Sequence, residues 1–352
     1  MEEAMVKQNR RINVFALLCI FALIFAVIGA VIIPTSAEGQ GKLLYAGGIP
    51  FGVKFYSKGV VVAGFCYIKG SVGEEQSPAL DAGLMKNDVI LSIDGKTPES
   101  CEDFLRLVDE SRGRAISIVY LREDKEETTS LLPVYSESEG KYKCGMYIRQ
   151  GGAGIGTITY IDPEDLSFGG LGHGISDADT GKLLEITHGI TMNVSISGIV
   201  KGRSGAPGEL KGSFANGKTG IVYSNKICGV FGVLSSIPQS VELKKYPIAT
   251  RKEVREGKAY MLCSLDGGKP ERYEIEISSI KRDCSGDDNK CFTVKVKDQR
   301  LIDRAGGIVQ GMSGSTIIQG CRIVGAVTHV MISDPTVGYG IFIENMLNNS
   351  QR

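Results

Sequence analysis

Residues 306–318 read GGIVQGMSGSTII and place Ser313 between two glycines, in the segment Gly311-Met312-Ser313-Gly314. Glycine lets a backbone turn sharply and adopt conformations that other residues avoid, so neighbouring N–H groups can be directed at one point. An acyl-transfer nucleophile needs such a turn, because those N–H groups stabilise the oxyanion that forms during attack. The stretch therefore predicts an elbow that presents Ser313 as a nucleophile.

Composition places the chain among ordinary globular proteins and excludes several functions. The 352 residues include 40 Lys plus Arg and 40 Asp plus Glu, and 42% of them are hydrophobic. A chain of this length is expected to form two domains, and its balanced charge argues against a nucleic-acid partner. The nine cysteines form no C-x-x-C pair, so neither a zinc site nor another cofactor is expected. Cys284 and Cys291 bracket a polar insert that a disulfide would close, although the spacing leaves cysteine pairing open.

The N-terminus predicts a membrane anchor. Lys7, Arg10 and Arg11 precede an uncharged and overwhelmingly apolar stretch over residues 14–33. At about 1.5 Å per residue, its length matches the roughly 30 Å hydrocarbon core of a bilayer. The positive-inside rule then leaves the N-terminus in the cytoplasm and exports the rest of the chain. The alternative is a signal peptide cleaved near residues 35–37. We therefore expect residues 1–40 to be a basic flank and transmembrane helix.

Residues 41–135 show short strands, one small helix and turns. The segments GVVVAG at 59–64, SPALDAGL at 77–84 and KNDVILSIDGK at 86–96 resemble a PDZ domain. In that family a glycine-containing loop captures a peptide carboxylate, and the extended peptide adds to the sheet edge. The resemblance assigns peptide binding to Gly48, Ile49, Phe51, Gly52 and Val53.

The remaining residues, 136–352, are rich in glycine and in strand-like alternation, as in VSISGIV at 194–200 and FTVKV at 292–296. Few stretches sustain helical periodicity, so this part predicts an antiparallel all-β body with room for two small barrels. We therefore expect a mainly β protein with an N-terminal transmembrane helix, a PDZ domain and a β-barrel domain.

A nucleophilic serine needs a histidine to take its proton and usually an acid to orient that histidine. Of the three histidines, His173 lies in the glycine-rich segment GGLGHGISD at 169–177 and is the predicted base. His188 is expected to be structural. His329, in GAVTHV at 325–330, either contacts the substrate or is an ordinary strand residue. Ser204, in GRSGAP at 202–207, is a rival nucleophile followed by a polar segment that suits an elbow less well.

Spacing alone does not choose the orienting acid. The candidates are Asp177, Asp179, Asp266, Asp283, Asp287, Asp288, Asp298 and Asp303.

Residues 143–352 resemble the peptidase domain of the stage IV sporulation protein B (SpoIVB) family. The resemblance rests on GHGISD at 172–177, the nucleophile segment 307–318, GAVTHV at 325–330 and DPTVGYG at 334–340. It implies a chymotrypsin-like double β-barrel serine peptidase with Ser313 as nucleophile, His173 as general base and Asp298 as orienting acid. By analogy, the N–H groups of Gly311 and Ser313 would form the oxyanion hole. Thr316 departs from the proline usual in the family.

The same resemblance implies an endopeptidase that acts outside the cytoplasm, between the two membranes around a forespore. There it would cleave itself and a membrane-bound regulator of an intramembrane metalloprotease, and so signal activation of a late sigma factor. The alternative function is a catalytically silent adaptor whose PDZ domain binds an extracytoplasmic tail. Reaction of Ser313 with a serine-directed probe distinguishes the two.

Overall fold

Strands make up most of the fold. The computed structural model describes residues 41–57, 59–70, 75–123, 125–177, 181–184, 186–238, 241–284 and 288–350. The strands are β1 (Leu43–Ser57), β2 (Val60–Phe65), β3 (Ile68–Lys69), β4 (Glu75–Gln76), β5 (Val89–Ile93), β6 (Ile116–Arg122), β7 (Lys125–Leu131), β8 (Val134–Ser136), β9 (Lys141–Lys143), β10 (Met146–Arg149), β11 (Gly152–Ile161), β12 (Ser167–Gly170), β13 (Ile186–Val200), β14 (Glu209–Lys226), β15 (Gly229–Leu234), β16 (Lys245–Pro247), β17 (Gly257–Cys263), β18 (Glu271–Ser278), β19 (Phe292–Val296), β20 (Thr316–Gln319), β21 (Arg322–Met331) and β22 (Asp334–Phe342). The helices are α1 (Pro78–Asp81), α2 (Cys101–Glu110), α3 (Gln299–Ala305) and α4 (Ile343–Asn349).

None of the helices in this described part is long and apolar enough to cross a membrane. The predicted transmembrane anchor, at residues 1–40, lies outside the described residues.

Six antiparallel strands close the first barrel, in the order β11-β12-β15-β14-β13-β1, with β1 pairing back onto β11. Side chains of β1 alternate between the barrel core and the solvent: Phe51, Val53 and Phe55 are buried, whereas Lys54 is exposed. This period of two is what an antiparallel strand with one buried face requires. The strand therefore supplies a large share of the first barrel's core.

A separate five-stranded sheet, in the order β10-β2-β5-β6-β7, forms the PDZ domain. Helix α2 covers it with Phe104, Leu107 and Val108, which join the core of that sheet. Ser100 caps this helix by accepting a hydrogen bond from the N–H of Asp103, at 2.9 Å. The N-terminal cap and the apolar stripe explain why the helix forms here.

The PDZ domain is an insertion in the first barrel, which differs from the predicted division at residue 135. Strand β1 precedes the PDZ sheet in the chain but pairs with β11 and β13 of the barrel. Strand β10, which follows the predicted boundary, pairs with β2 of the PDZ sheet. The alternating pattern of β1 satisfies any antiparallel partner with an apolar face, so only long-range pairing decides which sheet it joins.

The second barrel is also closed by six strands, in the order β17-β18-β19-β22-β21-β20. Hydrogen bonds join it directly to the first barrel. The hydroxyl of Thr159 on β11 donates to the carbonyl of Gly314, at 2.7 Å, and the hydroxyl of Thr316 donates to the carbonyl of Thr159, at 2.6 Å. The Ser313 elbow therefore lies where the two barrels meet.

Candidate active site

The elbow that carries Ser313 is held in a fixed conformation by its glycines and by the first barrel. Gly311 and Gly314 have φ angles of 93° and 95°, in the left-handed region that favours glycine. A Cβ atom on Gly314 would lie 2.0 Å from the carbonyl oxygen of Thr157, so no other residue fits there. The N–H of Thr157 donates to the carbonyl of Ser313 at 2.9 Å, and the N–H of Gly314 donates to the carbonyl of Val327 at 2.7 Å.

Two N–H groups beside Ser313 are available to a ligand. Among the described residues, the N–H groups of Gly311 and Ser313 have no hydrogen-bond partner. The carbonyl of Gly311 accepts a hydrogen bond from the hydroxyl of Thr157, at 2.7 Å, which fixes the orientation of that part of the turn. This arrangement suits the predicted oxyanion hole, because preorganised donors stabilise charge without reorganising.

Ser313 and His173 line one cavity of about 850 Å³ between the two barrels. The segment before the histidine packs against the second barrel, since a Cβ on Gly172 would meet the Thr328 side chain at 3.0 Å. In this structure the Ser313 hydroxyl donates to the carbonyl of Thr328, at 2.8 Å. The hydroxyl must therefore rotate from that carbonyl toward His173 before it can pass on its proton.

The ring of His173 is oriented by a backbone carbonyl. Its Nδ1 lies 2.8 Å from the carbonyl oxygen of Gly174, so Nδ1 carries the proton and Nε2 holds the free lone pair. Burial is the main influence on this group and lowers the pKa of His173. The neutral imidazole that a general base requires is thus the favoured form near neutral pH.

His329 lies against His173 in the same cavity. The two ring centroids are 4.8 Å apart, and the Nδ1 of His329 is buried without a hydrogen-bond partner among the described residues. Burial, together with the nearby His173 and Lys290, lowers the pKa of His329 to about 4. His329 therefore presents a neutral imidazole in the cavity wall, and its predicted role in substrate contact stays a prediction.

Asp298 does not orient His173 in this structure. It caps the N-terminus of α3, where its carboxylate accepts hydrogen bonds from the N–H groups of Arg300, at 3.0 Å, and Glu274, at 3.2 Å. The guanidinium of Arg300 also binds it and lowers its pKa. An aspartate just before a helix satisfies unpaired N–H groups of the first turn, and this local role accounts for the residue. Asp298 is absent from the lining of the cavity.

Among the described residues, the acid that lines the cavity is Asp177, four residues after His173. It is 9% exposed and forms an ion pair with Arg149, at the end of β10. Sequence spacing left Asp177 as one of several acids, and only the fold brings it to the cavity.

The residues predicted to bind peptide in the PDZ domain lie elsewhere. Gly48, Ile49, Phe51, Gly52 and Val53 all belong to β1, and Phe51 and Val53 point into the core of the first barrel. Gly52 has no room for a side chain, because a Cβ there would lie 2.4 Å from the Phe214 ring. The prediction of peptide capture by these residues is therefore wrong. The edge strand of the PDZ sheet beside β2 is β10.

The rival serine and the third histidine lie outside the cavity, and the candidate acids Asp179 and Asp287 lie outside the described residues. The hydroxyl of Ser204 donates to the carbonyl of Ser333 at 2.8 Å, and Ser204 does not line the cavity. His188 is exposed and stacks on the ring of Tyr56. Within the described ranges, no group of three or more histidine, cysteine or acidic side chains is arranged to hold a metal.

Comparison with known proteins identifies the family. Residues 140–347 match the model of the SpoIVB peptidase S55 family, and residues 48–132 match the PDZ domain model, whose range begins within β1. The chain is similar to the PDZ domain of an SdrC-like protein from Listeria monocytogenes, with 25% identity, 26% of this chain and 87% of that chain covered, and a TM-score of 0.21. It is also similar to the inactive form of the Rv3671c protease, with 14% identity, 55% of this chain and 81% of that chain covered, and a TM-score of 0.31. No curated protein matches its sequence significantly. The predicted family is confirmed, since the family model covers more than half of the chain: the protein belongs to the SpoIVB peptidase S55 family and is a peptidase.

Proposed function

We propose that the protein is a serine endopeptidase in which Ser313 is the nucleophile and His173 the general base. The observation that carries the proposal is that Ser313 and His173 line the same cavity, together with two N–H groups that have no partner in the described structure. In this mechanism the Ser313 Oγ attacks the peptide carbonyl while its proton passes to Nε2 of His173. The N–H groups of Gly311 and Ser313 stabilise the oxyanion.

The second half of the reaction uses the same groups. The protonated His173 gives its proton to the leaving amine as the C–N bond breaks, and a water molecule then hydrolyses the ester on Ser313. The carbonyl of Gly174 holds Nδ1–H throughout and so takes the orienting part that Asp298 was expected to play. A carbonyl stabilises the imidazolium less than a carboxylate would, so we expect slow turnover.

A catalytic site with slow turnover is suited to a regulated protease that acts on few substrates. We propose that it cleaves itself near its N-terminus and cleaves a membrane-bound regulator of an intramembrane metalloprotease, in signalling during sporulation. It would act outside the cytoplasm and remain attached through residues 1–40. The Cys284–Cys291 disulfide supports an oxidising compartment. The PDZ edge strand β10 offers backbone groups for an extended peptide, by strand addition.

The test is labelling of the full chain with a fluorophosphonate probe, which reacts with activated serines. We expect labelling of the natural protein and of Ser204→Ala, and none of Ser313→Ala. Mass measurement of the natural and Ser313→Ala chains then shows whether self-cleavage depends on Ser313. A natural chain that is folded yet unlabelled would contradict the peptidase mechanism and favour the adaptor.

A further inference from the structure

A single asparagine outside the cavity lining is hydrogen-bonded to residues next to both members of the catalytic pair. The side-chain amide of Asn289 donates to the carbonyl of Ile227, at 3.0 Å. The backbone carbonyl of Asn289 accepts a hydrogen bond from the hydroxyl of Thr328, at 2.9 Å. Ile227 lies in the turn between β14 and β15 of the first barrel, and Thr328 lies on β21 of the second. Asn289 therefore links the two barrels.

Each residue bonded to Asn289 is connected to Ser313 or His173 by further hydrogen bonds. The carbonyl of Ile227 also accepts the N–H of Gly174, at 3.1 Å, and the carbonyl of Gly174 holds Nδ1 of His173. On the other side, the carbonyl of Thr328 accepts the hydroxyl of Ser313. A carbonyl oxygen has two lone pairs, so Ile227 can serve Gly174 and Asn289 together. The chain of contacts thus runs from His173 through Asn289 to Ser313.

The two cysteines that flank Asn289 in the chain are bonded to each other and to the second barrel. A disulfide joins Cys284 to Cys291, and the N–H of Cys291 donates to the carbonyl of Gly340, at 2.8 Å. The guanidinium of Arg251 binds the carbonyl of Cys284, at 3.0 Å. Asn289 therefore lies between two cysteines that are held in place. A residue that determines the distance between His173 and Ser313 needs such fixed neighbours.

We propose that Asn289 is a positioning residue that sets the alignment of His173 with Ser313 across the two barrels. The inference rests on the proposed function. The base belongs to one barrel and the nucleophile to the other, so proton transfer depends on how the barrels are aligned, and small displacements cost rate. The side-chain amide of Asn289 binds Ile227 while the backbone carbonyl of the same residue accepts from Thr328.

The experiment measures the rate constant of fluorophosphonate labelling in the full chain across a range of pH. We expect Asn289→Ala to lower it by about five- to twentyfold, the range for loss of a hydrogen bond and of alignment. Asn289→Asp keeps the size and the backbone carbonyl but has no donor for Ile227, so it should be slowed similarly. Its new carboxylate should also move the pH midpoint upward, because a nearby negative charge favours protonated His173. Asn289→Gln, which keeps the amide, should recover part of the rate.

Gln319→Ala is the matched control, since the side-chain amide of this residue, at the end of β20, also donates to backbone carbonyls, those of Arg255, at 2.8 Å, and Lys258, at 3.3 Å. It should leave the labelling rate and the pH midpoint unchanged. Natural rates in both Asn289→Ala and Asn289→Asp, beside a natural chain that labels, would overturn this inference alone. An equal loss in Gln319→Ala would also overturn it, because the effect would then be one of general stability. A natural chain that is not labelled would overturn the proposed function and this inference with it.

Discussion

At the scale of single residues, burial of His173 favours the neutral form that the proposed general base needs. The base must be neutral to accept a proton, and burial lowers its pKa from the ordinary value of 6.5. We therefore predict that the labelling rate of Ser313 rises with pH and reaches half its maximum below about 6.5. The measurement is the labelling rate from pH 4 to pH 8. The exposed His188 supplies the control, as His188→Gln should keep this profile. A midpoint at or above pH 7 would contradict the assignment.

Protonation also affects folding in this range. The pKa of His329 is about 4 in the folded protein, below the 6.5 of an unfolded chain. The unfolded state therefore binds the proton first, so stability is full above about pH 6.5 and falls as the pH drops toward 4. Burial of His173 acts on stability in the same direction. Thermal unfolding at each pH separates this loss of stability from the change in the labelling rate of the folded chain.

At the scale of secondary-structure elements, the end of β10 connects the PDZ sheet to the loop of His173. Arg149 and the buried Asp177 form the ion pair that makes this connection. We predict that Arg149→Met slows labelling of Ser313, because loss of this ion pair shifts the loop that carries the proposed base. A double-mutant cycle with Asp177→Asn should give a coupling of about 1–3 kcal/mol in unfolding free energy.

The matched control for this ion pair is Arg106, which pairs with Glu110 on the surface of α2 and is 57% exposed. Exposed pairs contribute little, so Arg106→Met should leave both the labelling rate and the stability near those of the natural chain. Equal behaviour of Arg149→Met and Arg106→Met would show that β10 is not coupled to the loop of His173.

At the scale of the whole molecule, the first barrel is complete only when β1 is present. Without it, β11 and β13 would each expose an unpaired edge, and the core would lose Phe51, Val53 and Phe55. We predict that a chain of residues 136–352 aggregates and shows no cooperative thermal transition, whereas residues 41–352 fold. Circular dichroism during heating measures this difference. Cooperative unfolding of the shorter chain would show that β1 is dispensable.

An internal deletion tests the insertion of the PDZ domain from the opposite side. Phe55 on β1 lies opposite Gly152 on β11, so a short glycine-rich turn in place of residues 58–150 can join the two strands as a hairpin. This variant keeps all six strands of the barrel. We expect it to unfold cooperatively although it lacks the PDZ sheet and Arg149.

The sequence by itself determined the features that depend on local backbone chemistry. Glycines around Ser313 and His173 identified both segments, because tight turns and close backbone contacts require that residue. The strands and α2 of the PDZ domain were recognisable from their sequence pattern. Tertiary structure alone decided the partner of β1, since alternating apolar residues fit any antiparallel edge. It also decided the use of Asp298, whose carboxylate serves the nearest unpaired N–H groups of α3 and not a histidine far away in the chain. The link from His173 through Asn289 to Ser313 joins three distant segments, and it exists only because the two barrels close against each other.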